Sequence, residues 1–205
     1  MKDMAVIKTE ISEMSKTALE MLDLTHRAFM EHDVDLISLA LEKEASLNDG
    51  EKEITSSLVV WGRGCAEKEE KLMVSTYVDV VGDLELIGDY CKDVLERVQT
   101  KIEEKLLFSE DAVAEYNNLY NLTFDALKEI VSALDKDNLN LLSGVSSKQE
   151  HIDTLVDKYR LQHNQRMLDG VCTPLACNMF LNVLDFTAAI YYHVKKINRN
   201  LLKIN

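Results

Sequence analysis

The sequence predicts an all-α fold of two antiparallel three-helix bundles related by internal duplication. Three observations carry that expectation. Chain punctuation is scarce, with 1 proline and 7 glycines in 205 residues, whereas strands need frequent turns and turns draw on Gly and Pro. Apolar residues recur at spacings of three and four through long segments, the signature of one helix face. The order medium, medium, long then occurs twice. A hydrophobic fraction of 46% supplies a core for a chain of this length and argues against disorder.

The first segment runs from about Ala5 to Met30, with Ile7, Ile11, Met14, Ala18, Met21, Leu22, Thr25 and Phe29 on one face. Glu31-His32-Asp33 breaks it, and Asp33 is a suitable N-cap for the next helix. That second helix carries Leu36, Ala40, Leu47, Ile54, Leu58 and Trp61, and Gly62-Arg63-Gly64 ends it. The tripeptide lacks the lysine and the spacing of a phosphate loop, so it reads as a helix stop. The third stripe is the longest, from Leu72 through Val80, Leu84, Ile87, Cys91 and Val98 to Leu106. A helix from Ala66 to Leu107 would span roughly 60 Å, and a stripe that long needs antiparallel neighbours along its length.

Ser109 followed by Glu110 and Asp111 caps and charges the start of the fourth helix. Val113, Tyr116, Tyr120, Thr123, Leu127, Ile130 and Leu134 form its face, and Asp135-Lys136-Asp137-Asn138 ends it. Leu139, Leu142, Val145, Ile152, Leu155 and Tyr159 mark a fifth helix, ending at Gly170-Val171-Cys172-Thr173. Thr173-Pro174 then reads as N-cap and first helical residue. The sixth helix carries Phe180, Leu181, Leu184, Ala188, Tyr191, Val194, Ile197 and Leu201. The halves match in detail: Val81, Ile87 and Val94 parallel Leu184, Ile190 and Ile197 at one constant offset. Residues 1–108 and 109–205 are therefore expected to be two repeats packed as one unit.

Lys plus Arg number 23 and Asp plus Glu 36, a net charge of −13. Such a surface repels phosphate backbones and anionic lipid, which disfavours nucleic-acid or direct membrane binding. The longest apolar run, Val171 to Tyr192, is interrupted by Pro174, Asn178, Asn182 and Asp185. Met1 to Glu13 has no apolar leader core, so Cys65, Cys91, Cys172 and Cys177 are expected to be reduced thiols. Cys172 and Cys177 have no second pair and no histidine at zinc-finger spacing, which weighs against a metal there. The scattered His26, His32, His151, His163 and His193 form no catalytic constellation with Ser or Cys. Tyr191-Tyr192 is expected to pack, because no basic patch with base-stacking character accompanies it. Lys195, Lys196, Arg199 and Lys203 are the one basic cluster, suited to the negative end of a helix or, in a membrane-proximal module, to lipid headgroups.

The sharpest local feature is Asp83-Leu84-Glu85-Leu86-Ile87-Gly88-Asp89-Tyr90, mid-helix. Glu85 and Asp89 stand one turn apart, where like charges repel unless a cation sits between them. A mid-helix glycine costs about 1 kcal/mol against alanine, so Gly88 is expected to serve a close helix approach or a ligand. The string resembles the signature of PhoU domains, roughly D-L-E-R-I-G-D-H, and the duplicated six-helix layout resembles that family from about Met14 to Leu202. Leu168-Asp169-Gly170-Val171-Cys172-Thr173-Pro174, leading into Phe180-Leu181-Asn182-Val183-Leu184, is similar to the linker before the last helix in the cytosolic PhoU-like region of bacterial sodium/phosphate cotransporters.

The resemblance implies a non-enzymatic regulator of phosphate transport and homeostasis. It implies contact with a phosphate transporter or an associated sensor kinase, in the cytoplasm at the inner face of the membrane. Any membrane association would run through that partner or a fused transporter. Some family members bind multinuclear iron or other metal clusters through an E(D)xxxD motif on paired helices. Glu85 and Asp89 match that motif, Glu44 matches its first position on the second helix, and Asn48 replaces the second acid with a neutral carbonyl oxygen. In the second repeat Gln149 replaces one acid, Asp153 keeps the other, and Ala188 and Tyr192 replace both on the last helix. His193 matches the family's terminal histidine. The resemblance thus implies a divalent or iron site at Glu44, Glu85 and Asp89 in the first repeat only. Surface acids without a metal remain the alternative for these residues. For the chain, the alternatives are a carboxylate metal-binding bundle and a structural helical adaptor. The Glu-x-x-His pairs of di-iron bundles are absent, since Lys148 and Arg160 stand three residues before His151 and His163. Apolar surface left by the paired bundles is compatible with a homodimer.

Overall fold

A computed structural model describes residues 2–144 and 152–205. Its helices are α1 (Met4–Glu31), α2 (Val34–Gly62), α3 (Lys68–Glu103), α4 (Glu110–Asp135), α5 (Ile152–Leu168) and α6 (Pro174–Leu201), and no strand occurs among the described residues. The all-α expectation holds. The caps fall where the sequence places them: Asp33 accepts from the Asp35 N–H, Ser109 from that of Ala112 and Thr173 from that of Ala176. Each satisfies a first-turn donor that the helix itself leaves unbonded.

Two boundaries differ from the periodicity. α3 stops at Glu103, because the chain turns at Lys105 in the left-handed region (φ 50°). Leu107, expected as the last residue of this helix, lies beyond it and is 83% exposed. Leu139 does not begin the fifth helix. A 3-10 turn covers Leu139–Gly144, and α5 starts at Ile152. Val145, Lys148, Gln149 and His151 lie outside the described residues.

Helices α1, α3, α6 and α4 pack in a ring, each against the next, with the α3–α6 contact the most extensive. α2 lies outside the ring against α1 and α3, and α5 lies outside against α6 and, less, α4. One continuous apolar core fills the ring, from Ile7, Met21 and Phe29 through Leu84, Ile87 and Leu95 to Leu119, Phe180 and Ile197. α6 is long and apolar enough to cross a membrane by length and composition, but half of that stretch is buried against the other helices. Burying both flanks of α6 between α3 and α4 explains why it is apolar around so much of its girth.

At one end of the ring Lys101 reaches across from α3. Its Nζ donates to the Phe29 carbonyl at 2.8 Å and to His32 Nε2 at 2.5 Å, and sits 4.1 Å over the Phe29 ring. Phe29 O is an unbonded carbonyl of the last turn of α1, so the lysine caps a helix other than its own. Burial pushes the Lys101 ammonium down to about 8 from its ordinary 10.5. The folded state then loses this proton near pH 8 while the unfolded chain keeps it until about 10.5, so stability rises across that interval. The urea midpoint is expected to correspond to about 1 kcal/mol more stability at pH 10 than at pH 8, after allowance for solvent screening. Lys101→Met should remove that increment, and an identical pH response in the variant would refute the assignment.

Candidate functional site

The acidic residues picked out by the sequence lie where α2 crosses α3. The crossing is close because Gly88 has no side chain: a Cβ there would stand 2.7 Å from Leu47 Cδ1 and 3.7 Å from Met21 Sδ. Leu47 is fully buried. Glu44 and Asn48 flank it on α2, while Glu85 and Asp89 flank Gly88 on α3, so the tight contact sets the register of the two polar pairs.

Within this patch Glu44 is buried, and its Oε1 accepts from Lys92 Nζ at 2.9 Å and from Asn48 Nδ2 at 3.1 Å. The Lys92 ammonium is held above its ordinary range by that bond. Glu85 is half-buried, and its carboxyl is pushed up by burial first and then by Asp89, Glu51 and Glu44, with Lys52 opposing. Three acids thus act on Glu85 across α2 and α3, with Lys52 opposing them and Lys92 bonded to Glu44.

The residues can be tested against the metal that the resemblance implies. Asn48 Oδ1 is buried without a hydrogen-bond partner, which is the state of an acceptor left for a ligand. Glu85 is held among like charges that a cation would relieve. However, Lys92 already occupies one oxygen of Glu44. Among the described residues, no three carboxylates bring their oxygens within 4.8 Å of one another. The donor set fits a hydrated oxygen-preferring ion held partly through water, not a tightly ligated cluster.

In the second repeat the corresponding place has changed sign. Asp153, Ala188 and Tyr192 line a cavity of about 250 Å³ with Tyr191, Lys195, Lys196 and Arg199. Of the tyrosine pair, Tyr191 is buried and Tyr192 is 58% exposed.

Sequence reasoning passed over the ionic centre of the α3–α6 seam. Asp83 is 1% exposed, and its Oδ1 accepts from His193 Nδ1 and from Lys196 Nζ, both at 2.8 Å. A signal was available: Asp83 stands in the apolar stripe with Val80, Leu84 and Ile87, while His193 and Lys196 share one face of α6. Lys196, read as part of a basic cluster at the end of the chain, is therefore an α3–α6 tie.

Comparison with known proteins matches residues 11–98 to the PhoU domain. The chain is also 23% identical over 155 residues to the phosphate-specific transport system accessory protein PhoU homolog of Clostridium acetobutylicum, covering 75% of this chain and 69% of that protein. The PhoU crystal structure from Pseudomonas aeruginosa superimposes with a TM-score of 0.89 at 17% identity, covering 98% of this chain and 96% of that one. The phosphate transport system regulatory protein PhoU of Streptococcus pneumoniae gives 0.85 at 16% identity, covering 98% and 93%. The likeness in fold therefore extends over nearly the whole chain.

Proposed function

We propose that this PhoU-like chain regulates phosphate transport by docking onto a phosphate transporter or its sensor kinase at the cytoplasmic face of the membrane. The observation that carries this reading is the match of residues 11–98 to the PhoU domain, within a fold that resembles the PhoU structures over nearly the whole chain. The relatives' names support the phosphate connection: one is an accessory protein of a phosphate-specific transport system and another a phosphate transport regulatory protein. The role is one of contact rather than turnover. The acidic α2–α3 face is the docking surface, and Glu85, Asp89 and the Asn48 carbonyl, with Glu44 behind them, hold a hydrated Mg²⁺ or Mn²⁺ that lowers its negative charge.

The test is affinity capture of the tagged chain from its own cell's solubilised membranes, with phosphate replete and then starved. Recovery of a phosphate transporter or sensor kinase that changes with phosphate is the expected result. Recovery of neither in both states refutes the proposal. Recovery of the untagged chain reports the homodimer in the same experiment. For the metal, Mn²⁺ binding measured by electron paramagnetic resonance is expected to weaken about tenfold or more in Glu85→Gln; equal binding by the variant would remove the ion from this face.

A further inference from the structure

A second cluster of ligand-bearing side chains lies in the other repeat, far along the sequence from the acidic face. His163 sits near the end of α5, Cys172 in the α5–α6 connection and Cys177 in the first turns of α6. A ring nitrogen of His163 and the sulfurs of both cysteines lie within 4.8 Å of one another, the only such group of three His, Cys, Asp or Glu among the described residues. The chain is brought back on itself by Gly170, whose φ of +71° favours glycine. Cys172 and Cys177 lacked a histidine at finger-like spacing in the sequence; the third ligand comes instead from the preceding helix.

We propose that His163, Cys172 and Cys177 form a zinc site that staples α5 to α6. The geometry is near what zinc needs. Bonds of about 2.3 Å to sulfur and 2.0 Å to nitrogen place tetrahedral ligands about 3.5–3.8 Å apart, so small rotamer changes close the group. His163 and Cys177 are 2% and 1% exposed, and Cys172 is half-buried. The ring of His163 stacks on Phe180 at a centroid distance of 4.5 Å, which fixes its plane.

Independent support comes from an unused atom. His163 Nε2 is buried and has no hydrogen-bond partner. The other nitrogen, Nδ1, accepts from the Arg166 guanidinium at 3.1 Å, since a guanidinium can only donate. An imidazole that lies within reach of two thiols and keeps one buried nitrogen unbonded holds an unsatisfied group that a metal could satisfy.

The charges close. Zn²⁺ with two thiolates and a neutral imidazole is a net-neutral centre, suited to a largely buried place. Loading releases two thiol protons to solvent. The imidazole keeps its single proton, which moves to Nδ1. There the Arg166 donor turns aside and Glu115 accepts, a carboxylate that already bonds both Arg166 terminal nitrogens and acts electrostatically on the ring. A carboxylate behind a ligating histidine is the usual supporting arrangement. The fourth position is left for water or an incoming ligand on the half-buried Cys172 side. The staple has a structural purpose, because α5 is the shortest helix at 17 residues and buries only Ile152, Val156, Tyr159 and His163.

The test uses the full chain, reduced and stripped of metal, titrated with Co²⁺ and then Zn²⁺. One Co²⁺ per chain with thiolate-to-cobalt charge transfer and strong tetrahedral d–d bands is expected, with displacement by Zn²⁺. Cys172→Ser, at the half-buried position and therefore the variant that keeps its fold, should weaken Zn²⁺ binding by more than about 100-fold, because even outer partners of a ligand are worth about 10- to 100-fold. In the unmutated chain Zn²⁺ should protect Cys172 from alkylation while leaving Cys65 reactive. A tetrahedral cobalt spectrum that persists in Cys172→Ser, or unchanged Cys172 alkylation with Zn²⁺, overturns the site. So does a Cys172–Cys177 disulfide in freshly isolated protein that, once reduced, gives no cobalt spectrum.

Discussion

Asp83→Ala is expected to lower the free energy of unfolding by about 3 kcal/mol, in the range for breaking a buried ion pair from one side. The size is set by how the group is held. One oxygen, Oδ1, carries both bonds across the α3–α6 seam, to His193 and to Lys196, while Oδ2 is buried without a partner. Removing the carboxyl leaves His193, 8% exposed, without its acceptor, and leaves a small cavity beside Val80, Leu84 and Ile87. Lys196 is 35% exposed at its side chain and can turn to water, which limits the loss. Asp83→Asn keeps the shape and one acceptor and should cost about half as much. Urea unfolding with an unchanged m-value checks both. A loss below about 1 kcal/mol in the alanine variant would mean that the seam is held by apolar packing alone.

Much of this architecture was legible in the sequence because it rests on periodicity and punctuation. The stripes of α1 to α4 and α6, the caps at Asp33, Ser109 and Thr173, and the stop at Gly62 are local signals with local physical causes. The motif around Glu85 and Asp89 was legible as a string. What was not legible depends on contacts between distant segments. Lys92 as the partner of Glu44, the Lys101 cap on α1, and the meeting of His163 with Cys172 and Cys177 each require the packing of one helix on another. Periodicity failed at Leu139 for the opposite reason, since a short apolar repeat reads as the start of an α-helix on paper where the backbone forms a 3-10 turn over Leu139–Gly144.

Two glycines of α3, six residues apart, should respond to substitution with opposite sign. Gly82 has nothing within 4 Å of the place a Cβ would take, so Gly82→Ala should stabilise the protein by about 0.5–1 kcal/mol through helix propensity and a less free unfolded chain. Gly88→Leu should destabilise it by about 3 kcal/mol or more. Its Cβ alone would meet Leu47 Cδ1 at 2.7 Å, and the rest of a leucine side chain would have to enter the space that fully buried Leu47 fills, more than a turn of one methyl can relieve. Overpacking of this kind forces off-rotamer side chains or a shift of the helix. Moving α2 outward would also separate Glu44 and Asn48 from Lys92, Glu85 and Asp89, so the affinity of the acidic face for Mn²⁺ should fall together with stability. Gly88→Ala, in which Leu47 need only swing its terminal methyl while the helix gains about 1 kcal/mol in propensity, should lie close to neutral. The decisive comparison is between the two alanine variants and the leucine variant by thermal unfolding, with helical content checked by circular dichroism. If Gly88→Leu unfolds at the temperature of the unmutated chain, the close crossing of α2 and α3 is not what fixes the acidic site.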